Sequence, residues 1–226
     1  MSGSAELSRQ LRKLGYRGVE YDREAHHSDE DIISLQGMIW ATLLALSVER
    51  WGLNTLAPKC SSWGRAAVHT MGREQNNLTV VGLDEERPDV MEANAVADCV
   101  GFLMVLSACR QVYCWLEQPQ GSSLCRYPSI WFALGALGAE VPVHTWQGGF
   151  GHATPKPTYM WTSLPASVHP LLRARKPAPR ERAPEEQFHR RSGRWWHGTA
   201  LLTSSEAYPP QFAAAIAQAF QQARCL

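Results

Sequence analysis

Apolar positions recur along this chain with two periods, and their alternation predicts its elements. Leu7, Leu11 and Leu14 fall at helical spacing, so a short amphipathic helix is expected over 6–14. Gly15 stands where such a helix stops. Ser2-Gly3-Ser4-Ala5 reads as a small-residue loop before it, and Gly18-Val19-Glu20-Tyr21 as a strand ending at Asp22. The longest apolar-periodic segment, 32–51, predicts a helix opened by the acids at 29–31. A short strand over 53–57 leads into Pro58-Lys59-Cys60-Ser61-Ser62-Trp63, and 65–88 reads as a polar surface loop. A strongly apolar helix is expected over 90–110, then a buried strand over 112–116 that ends at Glu117-Gln118-Pro119. The pattern continues with a helix over 129–137, a strand over 141–146, a turn at 148–151 and a strand over 159–162. A last helix over 209–223 carries Pro in its first turn. Strands alternating with helices predict an α/β fold with a mostly parallel sheet covered on both faces. Ligands of such sheets bind at the carboxyl ends of strands, where the polar motifs of this chain fall.

Composition narrows the picture. With 226 residues and 45% apolar side chains, the chain is long enough for one sizeable core. A net charge of +1 selects no partner, but the charge is uneven. Arg173, Arg175, Lys176, Arg180, Arg182, Arg190, Arg191 and Arg194 face only Glu181, Glu185 and Glu186 in the same stretch. The expected organisation is therefore a main domain over 1–163, a basic Pro-containing connection over 164–206, and a C-terminal helix over 207–226 that packs back on the domain. The six Cys form no Cys-x-x-Cys pair and read as thiols in a reducing compartment. No run of about 18 apolar residues predicts a membrane span, and no basic-then-apolar leader opens the chain. A soluble intracellular protein is expected, nuclear or cytoplasmic. The His residues show no metal-ligand spacing.

The order of the strand-end motifs resembles that of the S-adenosylmethionine-dependent cytosine-C5 methyltransferases. Ser2-Gly3-Ser4-Ala5-Glu6-Leu7 is similar to the family's opening Gly-rich loop, Asp22 to its ribose-binding acid, and Asp31-Ile32 to the motif beside the adenine. Pro58-Lys59-Cys60 stands where the family has Pro-Pro-Cys, and Glu117-Gln118-Pro119 where it has Glu-Asn-Val. The segment from Gly151 to Thr158 resembles a later Gly-x-Pro-Gln-x-Arg-x-Arg stretch, and Tyr208-Pro209-Pro210 the closing Asn-x-Val-Pro. Lys59 replaces the second Pro, and Lys156-Pro157-Thr158 lacks the paired Arg.

The resemblance implies a Rossmann-like class I methyltransferase three-layer sandwich. The family's first strand would precede Ser2-Gly3, so that central strand is expected to be truncated, leaving a gap or a re-paired sheet. It also implies S-adenosylmethionine as cofactor, held by Gly3, Ser4, Asp22, Asp31, Ile32 and Pro58. Cys60 and Glu117 would be catalytic, and Ser62, Trp63, Gln118, Pro119, Lys156 and Thr158 would contact the substrate. The implied partner is nucleic acid, single-stranded or with a flipped base. The altered motifs also fit a catalytically inactive remnant of the fold that binds nucleic acid or protein.

The chemistry explains why these residue types matter. Carbon 5 of cytosine is a poor nucleophile until a thiolate adds at carbon 6. A free Cys ionises near pH ~8.5, so a neighbouring positive group such as Lys59 favours the reactive anion. A carboxyl held protonated by burial at a strand end suits proton donation to ring nitrogen 3.

Overall fold

A computed structural model describes residues 3–21, 30–64, 80–82, 86–152, 154–177, 187–189, 194–196 and 208–226. Helix α1 (Gly3–Lys13) opens it. It begins at Gly3, so Gly3, Ser4 and Ala5 are helical and do not form the expected loop, whose Ser2 lies outside the described residues. Glu6 anchors the first turn by accepting from Arg9 and Gln10. The expected strand at 18–21 makes no ladder. Val19 is 72% exposed, and the segment reaches the core only through Tyr21. Arg12 pairs with Glu20, and the Tyr21 hydroxyl donates to the Gly37 carbonyl.

Helix α2 (Leu35–Ser47) starts where Ser34 caps the Gly37 amide at 2.9 Å. A methyl group at Gly37 would overlap the Asp31 carbonyl, so only glycine fits this entry turn. Strand β1 (Leu53–Leu56) follows. Helix α3 (Pro88–Cys109) has Pro at its start and Asp89 in its first turn, both favourable at a helix N-terminus. By length and composition α3 is apolar enough to cross a membrane. Its Val90, Ala97, Val100 and Met104 are instead buried within the protein.

Strand β2 (Tyr113–Pro119) leads to helix α4 (Pro128–Leu137), which ends on Gly138 in the left-handed region at φ 63°. Strands β3 (Val143–Trp146) and β4 (Pro157–Thr162) complete the main sheet. A short helix α5 (His169–Leu172) and the terminal helix α6 (Pro210–Ala223) pack near them. A separate pair, β5 (Gln187–His189) and β6 (Arg194–Trp196), lies within the basic connection.

The four-stranded sheet has the order β1-β2-β4-β3. Only β1 and β2 are parallel; β4 runs antiparallel to both β2 and β3. The fold is thus α/β as expected, but the sheet is mixed and not mostly parallel. The reason lies in the connections. A short link joins β3 to β4, and such a link returns the chain beside the strand it left. Among the described residues no strand pairs with the other edge of β1, so the sheet ends there and no strand re-pairs across it.

Strand alternation separates two cores. Cys114, Leu116 and Trp161 face α2, α3 and α4 with Ala97, Met104, Ile130 and Leu134. Trp115, Val143 and Met160 face α1, α5 and α6 with Leu7, Leu172, Phe212 and Ile216. Helices therefore cover both sides of the sheet. All six cysteines lie outside disulfides.

Candidate active site

The carboxyl ends of β1 and β2 lie side by side, because Leu56 pairs with Leu116 in parallel register. The chain leaves β1 through Pro58, which is buried, and reaches Lys59 and Cys60, which are exposed. The Cys60 carbonyl accepts the amides of Trp63 and Gly64, each at 3.0 Å, so Cys60 opens a tight turn. Trp63 anchors that turn. It is only 2% exposed and meets Tyr127 edge-on at 5.3 Å. Its carbonyl accepts from the Ser123 amide at 2.9 Å. Trp63, expected on sequence as a substrate contact, is therefore a core side chain that presents Cys60 outward. Ser62 beside it is also buried.

Gln118 ties the two strand ends together. Its amide donates to the Pro58 carbonyl at 2.7 Å, and its oxygen accepts from Ser122 at 3.0 Å. Both ends of the side chain are thereby engaged, and Gln118 is 1% exposed. Pro58 likewise serves this tie through its carbonyl. Pro119 closes β2 opposite Thr158 of β4.

Glu117 turns to the opposite face of the sheet, as alternation requires. It is 7% exposed. The Gln147 amide donates to Oε1 at 3.3 Å, and the Tyr208 hydroxyl reaches Oε2 at 3.5 Å. Gln147 also donates to Thr158 Oγ1 at 3.1 Å, and Thr158 donates to the Lys156 carbonyl at 3.2 Å. Lys156 itself sits at φ 36°. Burial raises the Glu117 carboxyl above its ordinary value, opposed by the charge of Lys156 and by the Tyr208 hydrogen bond. Tyr208 is also raised, by burial and then by the Glu117 carboxylate. Two atoms of this buried cluster, Trp115 Nε1 and Gln147 Oε1, have no partner of hydrogen-bond geometry.

The raised carboxyl makes a testable statement about stability. A carboxyl that holds its proton more tightly when folded contributes stability that is complete below its ordinary value of 4.5 and lost as pH rises through the raised one. Glu117→Gln cannot ionise. The urea midpoint of the wild type should fall relative to that of the variant as pH is raised from 4.5, and the two curves should run parallel below it.

The cofactor-side positions are distributed differently. Gly3 and Ser4 form the first turn of α1. Asp31 Oδ1 accepts the Ile33 amide at 3.3 Å just ahead of α2, and the Ile32 carbonyl accepts from Cys99 at 3.4 Å. Helices α1 and α2 pack on opposite faces of the sheet. Asp22 lies outside the described residues.

The structure therefore brings Pro58, Cys60, Ser62, Trp63, Glu117, Gln118, Pro119, Lys156 and Thr158 to one end of the sheet. Two partners of Glu117 were not singled out on sequence for that role. Gln147 carried a signal, being a polar residue between a strand and a Gly pair. Tyr208 stood in a recognised motif, but nothing local pointed its hydroxyl at a carboxyl 91 residues away. In comparisons with protein-family models, curated proteins and solved structures, the chain matches none.

Proposed function

We propose that this protein is an S-adenosylmethionine-dependent methyltransferase acting on cytosine carbon 5 in nucleic acid, with Cys60 as nucleophile and Glu117 as the proton-holding partner. The observation that carries the reading is the placement of both residues at the carboxyl ends of adjacent parallel strands, joined by the Gln118–Pro58 bond. This is where sheets of this class present chemistry. Cys60 is exposed, as a nucleophile that must reach a ring carbon has to be. Its thiolate adds to carbon 6 of the base, with Lys59 next to it in sequence. Burial favours the protonated form of the Glu117 carboxyl, which suits proton donation toward ring nitrogen 3. Delivery requires the Tyr208 hydroxyl, which now holds Oε2, to release that oxygen.

S-Adenosylmethionine supplies an electrophilic methyl group when bound. The chain offers groups of suitable chemistry for it. The first turn of α1, at Gly3 and Ser4, carries amides with no intrahelical acceptor and suits the carboxylate of the methionine part. Asp31 and Ile32 would lie by the adenine. For the nucleic acid, Arg173, Arg175 and Lys176 are exposed cations that suit phosphates.

A second reading, a non-catalytic fold remnant that binds nucleic acid or protein, is favoured by the cover that Tyr208 and Gln147 place over Glu117. Tritium-labelled S-adenosylmethionine separates the two. Purified protein should label cytosine in single-stranded or duplex DNA, or in RNA. Binding of S-adenosylmethionine in a calorimeter without label in any of these would sink the cytosine assignment. Absence of both would leave the remnant.

A further inference from the structure

Helix α2 is inside out. Its small residues Gly37, Ala41 and Ala45 face the core, at a spacing of four. Five of its large apolar residues face outward, while Met38 packs on the core: Leu35 is 81% exposed, Ile39 50%, Trp40 51%, Leu43 52% and Leu46 40%. No charged side chain interrupts the helix from Leu35 to Ser47. An amphipathic helix of a monomer turns its large apolar residues inward. Five large apolar side chains exposed on one face of a single helix make a contiguous patch of the kind that marks an interaction surface.

The ends of the helix say what covers it. Glu30 and Asp31 precede it among the described residues. Among the described residues, Arg50, Arg110 and Arg224 stand at its other end beside Glu49, which pairs with Arg224 at 2.6 Å. Arg50 lies over the Trp51 ring, and Arg110 donates to the Val48 carbonyl, so both cations are held at the carboxyl end of α2. The helix thus has an acidic end, an apolar face and a basic end. Such a surface is complementary to itself when turned by half a revolution.

We propose that α2 is a homodimer interface, in which two copies pack their α2 helices antiparallel across a two-fold axis. The axis passes at the level of Trp40, so Leu35 of one copy lies opposite Leu46 of the other. The acidic end of each helix then faces the basic end of its mate, and the two helix dipoles oppose favourably. A two-fold pairing of one patch with itself is the commonest closed assembly. The proposal does not depend on the roles of Cys60 and Glu117, because no residue of the β1 and β2 strand ends takes part; of the cofactor-side positions only Asp31 belongs to the acidic end.

Sedimentation velocity on the full chain tests it. The wild type is expected to sediment as a dimer at about 50 µM. The double variant Trp40→Glu with Leu43→Glu should be monomeric, with an unchanged far-ultraviolet spectrum, since both residues are exposed. Its dissociation constant should rise by about 30-fold or more. Arg50→Glu should weaken the dimer, and adding Glu30→Arg should restore it. A wild type that stays monomeric at this concentration overturns the proposal. So does a dimer indifferent to the Trp40 and Leu43 changes, or a monomer that instead partitions onto phosphatidylcholine vesicles through α2.

Discussion

Replacing Cys60 with serine is expected to lower methyl transfer to cytosine by about 10⁴-fold or more, with the fold intact. The size follows from the role. A nucleophile opens the whole route to an activated ring, and a hydroxyl does not replace a thiolate at neutral pH. The fold should be indifferent because the Cys60 side chain is exposed and the turn it opens is held by backbone bonds to Trp63 and Gly64. An initial-rate assay with labelled donor, beside thermal melts of both proteins, separates the two effects. Transfer within about tenfold of wild type, with a normal melt, would remove Cys60 from the chemistry.

The largest stability loss is expected from Phe212→Ala. Phe212 is fully buried, with ring centres 5.2 Å from Phe150, 5.3 Å from Tyr208 and 6.4 Å from Trp115. Truncation removes its transfer energy and leaves a cavity that three large neighbours cannot close together, a cost of about 3–5 kcal/mol. The melting temperature should fall by roughly 10 °C in a chain of this length. Leu171→Ala, on a side chain 39% exposed, should cost far less. Phe212 also supports Tyr208, and Tyr208 holds Glu117. The variant should therefore loosen the buried carboxyl as well, and its pH dependence should flatten toward that of Glu117→Gln. A Phe212→Ala protein as stable as wild type would mean that α6 does not pack on the sheet as described.

The features read correctly from sequence are those with strong local signals. The helices α3 and α6 and the buried strand β2 follow from long apolar runs with Pro near the helix starts. The placement of Cys60 past β1 was legible for the same reason, as was Glu117 toward the carboxyl end of β2, although β2 runs on through Pro119. Strand direction was not. Apolar periodicity marks a strand without saying which way it runs, so the antiparallel β4 could not be read from its own residues. The segment at 18–21 has strand-like composition, but only pairing would make it a strand, and Val19 remains in solvent.

Helix α2 shows a different limit. It is apolar on every side, so its sequence predicts a helix without predicting which side is buried. The choice is made by fit, because only its small face allows the close approach to Asp31 and Tyr21 at Gly37. Trp63 shows the reverse case. An aromatic residue in a polar motif reads as a surface for bases, while the edge contact with Tyr127 makes it an anchor. Glu117 was legible as a strand-end carboxyl, but its surroundings were not, because Gln147 and Tyr208 come from distant parts of the chain.

In the proposed reaction the Cys60 sulfur adds to carbon 6 of cytosine. An oligonucleotide carrying 5-fluorocytosine tests this directly, because fluorine at carbon 5 blocks the proton loss that would release the enzyme. Intact-mass analysis after incubation with S-adenosylmethionine should show one oligonucleotide bound to the wild type through Cys60, and none bound to Cys60→Ser. No adduct with wild type, or an equal adduct with the serine variant, would contradict the account.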